Sequence, residues 1–175
     1  MYKNIVKTAL KGSQEKAMNN YRFQTVWCTP ADIDRIWEIL ANYADWPIWW
    51  RGIQSVKVVR NGDESGVGTV LRQRWRSWVP YTLVFDLEML RIESNRVLDG
   101  RASGDLEGAC RWTFTPVSGG TEIRFDVNIR TGRWWMNLPL PFAPRIVRAN
   151  FESIMSWGRE GLARKLGAPV ELLLQ

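Results

Sequence analysis

The chain's 175 residues, 45% hydrophobic and 24% charged, suit a single globular domain with a real core. Lys and Arg number 24 against 18 Asp and Glu, and the resulting +6 bears on encounter and solubility rather than on fold. Histidine is absent, which excludes Ser-His-Asp and Cys-His nucleophiles, a histidine general base and a histidine-held zinc, so any catalysis would run on carboxylates, tyrosine, arginine or bound water.

Residues 1–21 form a basic N-terminal segment in which Lys3, Lys7 and Lys11 stand at helical spacing beside Ile5, Val6, Ala9 and Leu10. So short an isolated helix is marginal in water, and the segment is read as a frayed tail in preference to a membrane-surface foot. It lacks the apolar core and cleavage site of an export signal, and the chain has no run of transmembrane length. Cys28 and Cys110 fall in strand-like segments outside any CxxC or metal-ligand spacing, so they read as reduced core thiols in a cytoplasmic protein.

From Arg22 to Cys28, Phe23, Thr25 and Trp27 alternate with Arg22, Gln24 and Val26, the period of a half-buried strand. Thr29-Pro30-Ala31-Asp32 predicts a helix start, with Thr29 as cap, Pro30 at the first helical position and Asp32 near the positive end. That helix runs to about Asn42 with Ile33, Ile36, Trp37 and Leu40 on one face. Asp45-Trp46-Pro47 opens a second, very short helix, to which Trp46, Trp49 and Trp50 give an unusually aromatic surface.

Beyond Ile53 strand follows strand, punctuated by Gly, Asn, Asp and Pro. Leu71, Gln73 and Trp75 alternate with Arg72, Arg74 and Arg76; after the Trp78-Val79-Pro80 corner, Leu83, Phe85, Leu87 and Met89 alternate with Val84, Asp86 and Glu88. A hairpin pairing Trp75 with Phe85 would set Arg74 against Asp86 and Arg72 against Glu88. Further on, pairing Trp112 with Phe125 across the Gly119-Gly120 turn sets Arg111 beside Asp126. A long helix is predicted from about Pro144 to Leu166, stopped by Gly167 and Pro169, with Val147, Phe151, Ile154, Met155, Gly158 and Leu162 as its inner stripe. Glycine weakens a helix at that place, so Gly158 reads as making room for a ligand or a bulky tryptophan.

Short turns between strands exclude a doubly wound sheet. The expected fold is α+β: a curved antiparallel sheet of about seven strands wrapped around the C-terminal helix, with two short helices after the first strand. Residues 22–168 form the domain and 169–175 a C-terminal tail. The order of elements, with Trp46-Pro47-Ile48-Trp49-Trp50, Gly66-Val67-Gly68-Thr69, Ala102-Ser103-Gly104-Asp105-Leu106-Glu107-Gly108, Gly119-Gly120-Thr121 and Trp135-Met136-Asn137-Leu138, resembles the START-like helix-grip (SRPBCC) superfamily over Phe23 to Leu166, and within it the polyketide cyclase/dehydrase-like proteins. The resemblance implies a pocket between sheet and C-terminal helix. Its members bind lipids, sterols, hormones or polyketides and some cyclise or dehydrate them, so it assigns no active residue.

A strongly curved sheet against one helix leaves an interior that side chains rarely fill, and the eleven tryptophans fit a wide aromatic cavity. The expected lining is Trp27, Gln73, Trp75, Phe85, Trp112, Phe125, Phe151, Met155 and Gly158, with Gln73 as the inward polar group that either meets the backbone or anchors a ligand. Asp99 with Arg101 reads as a surface ion pair rather than an acid–base pair, while Tyr81 and Asn150 are candidate donors or structural hydrogen-bond partners. Gly66-Val67-Gly68 reads as a plain turn, since no Lys-Ser/Thr follows it. Arg72, Arg74, Arg76, Arg111 and Arg124 are offset by cross-strand acids and lack stacking aromatics, which argues against a nucleic-acid face. The expected partner is therefore a hydrophobic small molecule bound in the cavity, without cofactor or metal. The alternative is a cyclase or dehydratase using the same cavity, and a peripheral lipid-handling protein is a third class.

Overall fold

Alternation with a period of two residues, broken by Gly- and Pro-bearing turns, sets most of this chain into antiparallel strands, and one long amphipathic helix covers the apolar face they share. The computed structural model describes residues 20–131 and 143–173; the expectations for residues 1–19 and for Trp135-Met136-Asn137-Leu138 lie outside them. In chain order the elements are β1 (Asn20–Thr29), α1 (Ile33–Ala41), a 3-10 turn (Tyr43–Asp45), α2 (Trp46–Trp49), β2 (Ile53–Arg60), β3 (Val70–Trp75), β4 (Leu83–Glu93), β5 (Val97–Gly104), β6 (Leu106–Val117), β7 (Gly120–Thr131), α3 (Ala143–Leu166) and β8 (Glu171–Leu172). The strands form one curved sheet in the order β2-β3-β4-β5-β6-β7-β1-β8. The fold is thus the expected α+β helix grip, with one strand more than expected. No helix among the described residues is long and apolar enough to cross a membrane.

The eighth strand comes from the segment read as a tail. Leu172 and Glu171 pair with Trp27 and Cys28, and the Leu173 amide donates to the Val26 carbonyl at 2.9 Å. Val26, placed by alternation on the outer face, is buried because this segment lies against the edge of its strand. The stop at Gly167 is as expected: its φ of +66° suits glycine, and the Gly167 and Ala168 amides close on the Ala163 carbonyl at 2.9 and 3.3 Å.

Two local expectations shift. Thr29 does not cap α1 but ends β1, paired with Thr121; the cap is Asp32, whose carboxylate accepts from the Asp34 amide at 2.9 Å. The β3–β4 hairpin is displaced by two residues: Gln73 lies opposite Phe85, Arg72 opposite Asp86 and Trp75 opposite Leu83. A slip of two keeps every side chain on its own face, so alternation cannot select the register. Charge pairing can. Arg72 makes two bonds of 2.8 Å to Asp86, while Arg60 takes Glu88 at 2.6 Å. The Arg72 guanidinium holds the Asp86 carboxyl below the usual carboxylate range. The β6–β7 register is as expected, Trp112 facing Phe125 and Arg111 facing Asp126.

The core centres on Trp50. Its ring stands 5.3 to 6.2 Å, centroid to centroid, from those of Trp27, Trp46, Trp49, Trp75 and Trp112, and its Nε1 donates to the Ile154 carbonyl of α3 at 2.8 Å. Helix α3 can come this close only because it is bare at two positions. A Cβ at Gly158 would lie 2.3 Å from Trp50 Cε2, and one at Gly161 would lie 2.2 Å from the Trp49 carbonyl oxygen.

Alanine is the better helix former by about 1 kcal/mol, yet Gly158→Ala should destabilise the protein, because overpacking a closed core typically costs about 1–3 kcal/mol. The urea midpoint of the variant should fall; an unchanged or higher midpoint would mean that the Trp50 ring gives way.

Candidate functional site

The strand register sorts the inner face of the sheet into rows. One row runs through Tyr21, Ile129, Gly108, Ala102, Leu87 and Leu71. The next, toward the β5–β6 turn, holds Thr131 and Leu106 on one side and Gly104, Phe85 and Gln73 on the other. Their middle is therefore built from Ala102, Gly104 and Gly108, which leave the floor low where flanking residues are large. The N-terminal half of α3 is held across this end of the sheet from both sides. Ser77 Oγ, just after β3, donates to Asn150 Oδ1, and the Phe151 ring stacks on Phe23 at 4.4 Å.

Gln73 has no exposed surface. Its Oε1 accepts from Trp75 Nε1 at 2.7 Å, while its Nε2 has no partner; Tyr21 Oη, also buried, has none either. Leaving a buried donor unmade costs roughly 1–3 kcal/mol. Two such groups, one from β1 and one from β3, stand on neighbouring rows at either side of the small-residue floor. Trp75 and Phe85 meet edge to face at 5.5 Å beside Gln73, and Phe125 and Phe151 stack at 6.4 Å on the opposite wall.

Under the C-terminal half of α3 the aromatic residues fill the space instead of lining it. Trp27 packs on Trp112 at 5.7 Å and Trp112 on Phe125 at 4.1 Å, Trp27 and Trp112 each stand 6.2 Å from Trp50, and Met155 is buried in the same core. A neighbouring space between the sheet and the short helices after β1, bounded by Leu40, Tyr43, Trp46, Leu98 and Trp112 among others, measures about 20 Å³, enough for one water. Gly158 gives its room to Trp50 and none to a ligand. The predicted lining residues thus fall into two groups. Gln73, Trp75, Phe85, Phe125 and Phe151 flank the low floor, whereas Trp27, Trp112, Met155 and Gly158 belong to the tryptophan core.

Asp99 is turned outward and bound by Arg111 through two bonds of 2.6 and 2.8 Å, so it is a surface ion pair, with Arg111 and not Arg101 as partner. Tyr81 is half-buried against the core, and Asn150 spends its Oδ1 on Ser77. The buried polar residues on the described part of the chain are threonines, Gln73 and Asn150, with no carboxylate among them. Cys110 points its sulfur toward Gly100 on the inner face, where burial, and then the charge of Asp99, push its pKa up to about 12. It therefore remains a neutral thiol and no nucleophile at neutral pH.

Sequence reasoning missed Tyr21 and Trp50. Tyr21 continues the Phe23, Thr25, Trp27 parity by one step, which was a readable signal. Trp50 follows a four-residue helix and has no periodic cue; Gly158, the gap it fills, lies far along the chain.

A family model described as polyketide cyclase/dehydrase and lipid transport matches residues 23–167. No curated protein matches the sequence. Among solved structures, the chain is similar to the Zhui aromatase/cyclase from Streptomyces sp. R1128, with 12% identity, a TM-score of 0.69, and coverage of 85% of this chain and 94% of that one. It is also similar to a START superfamily protein from Mycobacterium smegmatis, with 13% identity, a TM-score of 0.62, and coverage of 84% and 97% respectively. At these identities the likeness shows a shared fold.

The raised thiol pKa sets a chemical expectation. At pH 8.5 Cys110 in the folded protein should react with iodoacetamide at least about a hundredfold more slowly than in the urea-unfolded chain, where an ordinary thiol is half ionised. Peptide mass mapping of the alkylated cysteines measures this, and equal rates would place Cys110 in contact with water.

Proposed function

The chain belongs to the polyketide cyclase/dehydrase and lipid transport family, whose model spans residues 23–167, and from that premise we propose that it binds a hydrophobic small molecule between the inner face of the sheet and the N-terminal half of α3. The ligand class is lipid-like, aromatic or polyketide-like. The observation that carries this reading is Gln73: fully buried, with Oε1 engaged by Trp75 and Nε2 unpartnered. A ligand carbonyl or hydroxyl accepting from Nε2 would satisfy that donor, and Tyr21 Oη offers a second polar contact across the floor.

Affinity and orientation come from different groups in this scheme. Burying roughly 200 Å² of ligand apolar surface against Trp75, Phe85, Phe125 and Phe151 would contribute on the order of 5 kcal/mol. A single net hydrogen bond adds only about 0.5–1.5 kcal/mol. The aromatic walls would therefore hold the molecule, and Gln73 would set which way round it lies.

Binding is favoured over cyclisation or dehydration by what the inner face carries. Proton transfer needs a positioned acid or base, yet among the described residues no carboxylate is buried and the Cys110 thiol is neutral. The buried Tyr21 hydroxyl is the inner-face group through which the alternative, a cyclase or dehydratase, could move a proton.

Native mass spectrometry of freshly purified protein, followed by organic extraction, should reveal a co-purifying hydrophobic molecule. Gln73→Leu should lower its occupancy several-fold while leaving the protein folded, since it removes one unpaired buried donor as it takes the acceptor from half-buried Trp75 Nε1, two changes that offset each other. Repeated absence of any such molecule, together with failure to bind added lipid or polyaromatic probes, would end this reading.

A further inference from the structure

Beyond the interior, the chain builds a second concave surface at the side of the sheet. Strand β8 pairs with β1 only at Trp27 and Cys28, and among the described residues nothing pairs the edge of β1 between Asn20 and Thr25. Helix α3 runs alongside that edge. Between them lies a cleft of about 590 Å³, within the range of small-molecule sites. Along α3 it extends from Arg148 to Arg159, roughly 16 Å at 1.5 Å per residue.

Its floor and rim differ in chemistry. The floor is apolar: Phe23 stacked on Phe151, with Trp27, Met155, Leu172 and Leu173 beyond. The rim is cationic. Arg22, Arg148 and Arg159 face it against one acid, Glu152.

The three arginines are not equivalent. Arg159 is committed, its Nη1 donating to the Val170 carbonyl at 3.1 Å and so holding the segment that leads into β8. Arg148 lies 5.6 Å over the Phe23 ring and 3.9 Å from Glu152, longer than the roughly 2.7–2.9 Å of a charge-assisted hydrogen bond. Arg22 has no hydrogen-bond or ion-pair partner among the described residues, and the neighbouring Gln24 amide is occupied by Asp126 at 2.5 Å. The end of the cleft near Phe23 thus carries two weakly engaged guanidinium groups, Arg148 over the Phe23 ring and Arg22 at the lip that β1 shares with the outer-face hollow lined by Asp99 and Asp126.

We propose that this cleft is a second binding site, opening at the β1 edge and sharing the Phe151 ring with the interior one, that takes an anionic amphiphile: a carboxylate between Arg22 and Arg148, with its hydrocarbon body laid along Phe23, Phe151, Leu172 and Leu173. Guanidinium recognises carboxylate by paired N–H donors, and the floor removes the chain from water. A neutral amphiphile would gain the second contribution alone.

Calorimetric titration of the full chain with decanoate and with decanol at pH 7.5 separates these contributions. Decanoate should bind saturably and about tenfold or more tightly than decanol, the scale of a charge-assisted contact. Raising the salt concentration should weaken decanoate and spare decanol. Arg22→Gln combined with Arg148→Gln should weaken decanoate about tenfold and leave decanol unchanged. Gln73→Leu should leave decanoate unaffected, which distinguishes this site from the proposed interior one. Equal affinity for the two probes, absence of saturable decanoate binding, or a decanoate affinity indifferent to the double substitution would overturn the proposal. Loss of decanoate in Gln73→Leu would do so as well, by moving the carboxylate into the interior.

Discussion

The arrangement of this protein depends on one close contact: the Trp50 indole lying where a side chain at position 158 would otherwise be. An ideal Cβ there would be 2.3 Å from the ring, so a side chain at 158 would force the indole or the helix to shift. The indole also donates to the Ile154 carbonyl of the same helix, which fixes α3 in rotation as well as in distance. The inner stripe of α3 is thereby presented to the sheet, and Leu162 and Leu166 are buried farther along it. A glycine costs helix stability in the open, but here the burial it permits, of the order of 1.5–3 kcal/mol for a large apolar side chain, outweighs that loss.

That contact divides the interior. Toward the C-terminal half of α3, five indoles interlock around Trp50 with Trp75 at their boundary to the low floor, and the space beside Leu40, Tyr43 and Trp46 is the size of a water molecule. Toward the N-terminal half, Ala102, Gly104 and Gly108 lower the floor, and buried polar atoms of Gln73 and Tyr21 are left without partners. The first half resembles an ordinary core and stabilises the fold. The second tolerates unmet hydrogen bonds, the condition in which a bound molecule has something to supply.

The outer face follows another rule. Arg72, Arg111 and Arg130 each meet a carboxylate on a neighbouring strand, and Arg60 reaches across β3 to Glu88 of β4, all at 2.6 to 2.9 Å. These pairs are half-exposed and individually worth about 0–1 kcal/mol, but they select registers that burial leaves open; Arg72 and Arg111 are offset by cross-strand acids as expected, whereas Arg74 faces Val84 and Arg124 meets Glu122 of its own strand. At the edge of β1, Arg22 and Arg148 rim a cleft with an apolar floor, and the acid beside them, Glu152, stands 3.9 Å from Arg148.

The sequence by itself determined the side-chain parity of the main strands, the length and inner stripe of α3, its stop at Gly167 and the inward position of Gln73, because each follows from a repeat of two or of 3.6 residues measured along the chain. It also carried the β6–β7 register, where Trp112 and Phe125 match together with Arg111 and Asp126. The tertiary structure alone decided the two-residue slip of β3 on β4, the pairing of Leu172 with Trp27, the entry of Trp50 into the core and the cleft beside β1. Each of these joins residues distant in sequence through a fit in shape or charge, and such a fit leaves no periodic trace in either segment alone.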